Sequence, residues 1–78
     1  MLEEILSMAD KIMKISSESE RHVINQFKKK LLDNNLNMAR ILSDELVDFS
    51  IESNSSKSKI SKLEKLYDMT MEYCENVN

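Results

Sequence analysis

An all-α fold, a small up-down antiparallel bundle of about four short helices, is predicted by three observations on this chain of 78 residues. Gly and Pro are both absent. Apolar residues recur at helical spacing through four segments. The polar breaks between those segments are only about two to six residues long, a length that joins antiparallel neighbours. Tight turns between strands draw on Gly, Pro or Asn-Gly chemistry. A β or α/β fold would have to make every turn without those residues, whereas Asn and Ser suffice to cap helices.

The first helix is expected over roughly residues 2–15. At about 100° per residue, Met1, Leu2, Ile5, Leu6, Met8, Ala9, Ile12, Met13 and Ile15 fill one half of the wheel, and Glu3, Glu4, Ser7, Asp10, Lys11 and Lys14 the other. So wide an apolar arc touches more than one neighbour, or extends into a dimer seam. Ser17-x-x-Glu20 is a capping-box pattern that starts a second helix running to about Leu32. Its apolar stripe is narrow: Val23, Ile24, Phe27 and Leu31, with Leu32 at the border. Asp33-Asn34-Asn35 then supplies a left-handed C-terminal position and a cap for the next helix, Asn being second choice to Gly for the former. A fusion of these two helices through Asn34-Asn35, giving three in all, is the alternative.

The third helix is expected over about 36–52, with Leu36, Met38, Ala39, Leu42, Leu46, Val47 and Phe49 on one face, interrupted by Ser43 and Ser50. Ser53-Asn54-Ser55-Ser56 forms a loop, and a fourth helix follows from about Ser58 to Asn76. Its apolar face comprises Ile60, Leu63, Leu66, Tyr67, Met71, Tyr73, Cys74 and Val77, with Met69 at an exposed edge. No linker is long enough to divide the chain, so residues 1–78 form one domain.

Charge placement adds a tertiary expectation. Acids open and lysines close the first two helices, as the helix dipole favours. The last two break the rule: Asp48 and Glu52 end the third, while Lys57, Lys59 and Lys62 begin the fourth. Each misplaced charge costs about 0.3–1 kcal/mol. An antiparallel hairpin would offset these charges by setting the acidic end of the third helix beside the basic start of the fourth.

Size and composition bound the function. A chain of this length buries about 60% of the surface its unfolded form exposes, and one such core supplies roughly 3–5 kcal/mol of net stability. Self-association or docking on a partner is therefore expected. A net charge of −3 creates no global field for nucleic acid. The single cysteine fits a reducing, cytoplasmic compartment. Glu3 and Glu4 stand where a secretory leader carries base, and no run approaches the ~20 apolar residues of a membrane span. Abundant Lys, Asn, Ile and Ser suggest an AT-rich coding sequence, as in a low-GC bacterium, its phage or a plasmid.

Without Gly, a P-loop or dinucleotide fingerprint is impossible, and paired hydrolytic carboxylates and Cys/His metal spacings are missing. A non-enzymatic role without cofactor, metal or small-molecule substrate is expected. His22 has no ligand or catalytic partner at helical spacing, and an ordinary exposed histidine is expected there. Cys74 falls on an apolar face beside Glu72 and Glu75, the setting of a small core residue rather than a reactive thiol. Of the six methionines, Met8, Met13, Met38 and Met71 fall on core faces, where Met fills gaps.

Two surfaces stand out. Asp44, Asp48 and Glu52 form an i, i+4, i+8 acidic column with Glu45 beside it, and Ile41 projects into that face. An apolar residue ringed by acids is what a docking surface for a basic partner groove presents. The expected function is a non-catalytic regulator or inhibitor that binds another protein through this helix face. The alternatives are a nucleic-acid-binding regulator using Arg21, Lys28, Lys29 and Lys30, and a homodimeric structural or chaperone-like module joined through the apolar arc of the first helix. The three lysines also suit the C-terminal end of their helix dipole without any ligand.

Overall fold

The computed structural model describes residues 1–77 as four helices: α1 (Leu2–Met13), α2 (Glu18–Leu32), α3 (Leu36–Glu52) and α4 (Lys57–Val77). They form the small up-down bundle that the residue pattern predicts, and α2 and α3 are separate. α1 packs on α2, α2 on α3, α3 on α4, and α4 returns to α1. Among the described residues, no Cα atoms of the diagonal pairs, α1 with α3 or α2 with α4, come within 8 Å of each other. The molecule is 34 Å long and 19 Å across. The long dimension is that of α4 itself, since its 21 residues rise about 1.5 Å each.

Local chemistry sets the helix ends. Ser17 and Glu20 form the capping box that starts α2: Glu20 N–H donates to Ser17 Oγ, and Ser17 N–H donates back to Glu20 Oε1. α1 stops earlier than its apolar run suggests, at Met13, where Ser16 Oγ donates to the Ile12 carbonyl at 2.6 Å. Ile15 is left on the surface. Asn34 (φ 61°) and Asn54 (φ 55°) take the left-handed position after α2 and α3. In both places the following N–H closes the turn, Asn35 onto the Lys30 carbonyl and Ser55 onto that of Ser50. With no Gly available, Asn is the residue that visits this region at least cost. Asn35 and Ser56 then cap α3 and α4 by accepting from Met38 N–H and Lys59 N–H.

The core draws on every helix: Ile5, Ala9 and Ile12 from α1; Ile24, Phe27 and Leu31 from α2; Leu36, Ala39 and Leu46 from α3; Leu63, Leu66 and Cys74 from α4. Each large side chain among them contributes roughly 1.5–3 kcal/mol by leaving water. The wide arc of α1 is used on both sides, with Leu2, Leu6, Met8 and Met13 half-buried around its buried centre. Cys74 Sγ reaches the Leu36 carbonyl, tying the end of α4 to the start of α3 and marking them as antiparallel.

The α3 face differs from its expected one. Ser43 and Ser50 are the buried centre, their hydroxyls bonded to the Arg40 and Val47 carbonyls of their own helix, both at 2.8 Å. Small residues there let α3 approach its neighbours closely. The larger Leu42 and Val47 pack from the flanks, and Met38 and Phe49 turn out to solvent. Val77 is exposed as well, and Met69, expected at an exposed edge, is half-buried against the core.

Candidate functional site

The residues that carry charge in this bundle divide into one buried pair and two surface faces. The buried pair joins Glu20 to Lys59, with Lys59 Nζ 2.5 Å from Glu20 Oε2 and side-chain exposures of 10% and 7%. Both residues begin a helix at the same end of the bundle, and those helices are diagonal. The ion pair therefore spans one end of the core between two helices whose Cα atoms stay more than 8 Å apart. Burial by itself pushes the Glu20 carboxyl up. The Lys59 ammonium hydrogen-bonded to it, together with the Ser17 N–H and hydroxyl, outweighs that and holds it below its ordinary 4.5. Every buried side-chain nitrogen and oxygen among the described residues has a hydrogen-bond partner.

This pairing corrects the expected hairpin electrostatics. α3 and α4 are antiparallel neighbours, but Lys59 turns inward to Glu20 rather than to the acids of α3. Lys62 shares its helical stripe with Lys65, Met69 and Glu72, which border α1, so it lies away from α3. Among the described residues no ion pair joins α3 to α4. The capping box made Glu20 legible as a helix start. Nothing local announced that its second oxygen would meet a lysine 39 positions along the chain.

The acidic face of α3 is open along its length. Ile41, Asp44, Glu45, Asp48 and Glu52 are all exposed. None of the four carboxylates has a cation within ion-pair distance among the described residues. Ile41 and Asp44 border a shallow depression of about 160 Å³ between α3 and α4, shared with Arg40, Tyr67 and Met71. Ile51, one turn beyond Asp48 and unremarked in the residue pattern, joins the face: it is 53% exposed against 49% for Ile41. Its signal was its distance from the small-residue stripe, visible only once Ser43 and Ser50 are known to be the buried centre.

The basic cluster is less free. Lys28 Nζ bonds to Asp10 Oδ1, tying α2 to α1, and both Lys28 and Lys30 are half-buried. Arg21 and Lys29 are exposed, as is His22. Cys74 is buried, and that burial pushes its thiol pKa up, against a smaller opposing pull from Arg40.

Two further depressions lie in the helix grooves. An open one of about 620 Å³ runs between α1 and α4 over Met8 and Met69, with charges of both signs around it. A smaller one of about 170 Å³ lies between α2 and α3, walled by Val23, Leu46 and Phe49. Among the described residues, no three His, Cys, Asp or Glu side chains are grouped so as to hold a metal ion. No described helix is long and apolar enough to cross a membrane. No protein-family model, curated protein or solved structure matches the chain.

Proposed function

We propose that this chain is a non-catalytic regulator or inhibitor that binds another protein through the outward face of α3. The observation that carries the reading is the pairing of exposed Ile41 and Ile51 with four carboxylates that, among the described residues, have no cation within ion-pair distance. Like charges at i, i+4 repel by a few tenths of a kcal/mol per pair, so the free face is held at a small cost that a basic partner relieves. The two isoleucines supply the apolar centre such a contact needs, with the acids as its charged rim.

The test is capture of partners from a low-GC bacterial lysate by the tagged chain, before and after nuclease, with mass spectrometry of what is bound. A protein retained after nuclease, lost with Ile41→Ser/Asp48→Lys and kept with Arg21→Glu/Lys29→Glu, supports the reading. Both substituted pairs are surface changes expected to leave stability within about 0.5 kcal/mol. Recovery that vanishes with nuclease and with Arg21→Glu/Lys29→Glu would overturn it in favour of a nucleic-acid role, where binding falls steeply with salt.

A further inference from the structure

The groove between α2 and α3, which shares only Glu45 with the proposed α3 face, has a symmetry of its own. Ser19 and Val23 of α2 line the groove, and Gln26 and Lys30 continue their stripe by helical spacing, at i, i+4, i+7 and i+11. Glu45 and Phe49 of α3 line it opposite, and Met38 and Leu42 continue that stripe at the same helical spacing. The two stripes are in register about Asn34. Ser19 and Phe49 are each fifteen residues from it, Val23 and Glu45 eleven, Gln26 and Leu42 eight, Lys30 and Met38 four. The groove thus has four levels. Phe49, 46% exposed, stands over an apolar hollow at one end, and Met38, 37% exposed, projects at the other.

Charge runs along the same groove. Glu45 lies in its Phe49 half and Lys30 at its Met38 end. On the outer stripe of α2, Glu18 and Lys29 repeat that polarity. Neither lysine nor either acid has an ion-pair partner among the described residues.

We propose that this face is the contact between two copies of the chain, laid antiparallel about a two-fold axis perpendicular to the helices. That operation places Met38 of each copy on the Phe49 hollow of the other, where a flexible thioether fills an irregular gap of about 170 Å³ against an aromatic ring. It lays Lys30 at the second copy's Phe49 level, one helical turn from its Glu45, and Lys29 near its Glu18, twice each. A parallel arrangement would set acid against acid and leave both hollows empty, so the charge gradient selects the antiparallel one. Because the same patch serves both copies, the contact closes at two. Glu45 is shared with the proposed partner surface, while Ile41, Asp48 and Glu52 stay outside the dimer contact, so Ile41→Ser/Asp48→Lys tells the two apart.

Sedimentation equilibrium over roughly 10–500 µM tests the inference. The expected mass is that of a dimer at the upper end for the unaltered chain and of a monomer for Phe49→Glu, with helicity unchanged. Lys30→Glu and Glu45→Lys should each weaken dimerisation about tenfold. Mixing these two variants one to one, or combining them in one chain, should restore it, because each new charge then meets its opposite. Ile41→Ser/Asp48→Lys should leave the mass unchanged. A monomer at every concentration would overturn the inference, and so would a dimer that survives Phe49→Glu. Loss of the dimer with Met8→Glu but not Phe49→Glu would place the contact in the α1–α4 groove instead and overturn it equally.

Discussion

The Glu20–Lys59 pair allows a prediction with a worked magnitude. Removing one partner of a buried ion pair costs about 3–5 kcal/mol, because the other charge is left uncompensated. Glu20→Ala also removes half of the capping box, about a further 0.5–2 kcal/mol. Together these meet or exceed the roughly 3–5 kcal/mol available to a domain of this size, so Glu20→Ala is expected to be largely unfolded. Lys59→Met keeps the aliphatic stem and leaves the Glu20 carboxylate with the Ser17 N–H and hydroxyl, so its loss falls at the low end, about 3 kcal/mol. Gln serves the capping box as Glu does. The combination Glu20→Gln/Lys59→Met then buries no charge and should lie within about 1 kcal/mol of the unaltered protein. With Glu20→Gln as the other single variant, urea unfolding followed by far-ultraviolet circular dichroism measures all four corners of the cycle, and a coupling of at least about 2 kcal/mol is expected. A coupling below about 0.5 kcal/mol would refute the reasoning, since the two side chains would then act independently.

The same pair sets a pH dependence. The folded-state pKa of Glu20 lies below its ordinary 4.5, so ionisation favours the folded state. Its contribution is fully present above about 4.5 and is lost as pH falls through the lowered folded value. The slope of stability against pH over that acid range should flatten in Glu20→Gln/Lys59→Met.

Two other outcomes follow from the packing. Ser43→Leu restores an unbroken apolar face to α3 by pattern, yet it should destabilise by about 1–3 kcal/mol, because the site is filled by neighbouring helices. Ser43→Ala should stay within about 1 kcal/mol, since the hydroxyl bonds only to its own helix; a stabilising Ser43→Leu in urea titration would show the face to be loosely packed. Cys74 should react with iodoacetamide about a hundredfold more slowly in the folded protein than in urea, since its thiol is both buried and pushed up in pKa. Equal rates would mean that the end of α4 opens readily.

What the residue order settles is whatever depends on near neighbours along the chain. The four helices, the Ser17–Glu20 box, the left-handed Asn34 and the outward acids of α3 all rest on contacts within about four residues, where spacing and capping chemistry decide. The burial of Cys74 and the exposure of His22 belong with them, since each follows from the face its helix presents. The packed bundle decided the rest. An apolar arc wider than the face it can bury does not show which edge stays in solvent. That depends on how closely adjacent helices approach, so Ser43 and Ser50 went inside while Met38 and Phe49 stayed out. The diagonal meeting of Glu20 with Lys59 is the clearest case. Two side chains on helices that are not neighbours in the bundle find each other only because the other two helices hold them across one end of a common core, and no local spacing encodes that.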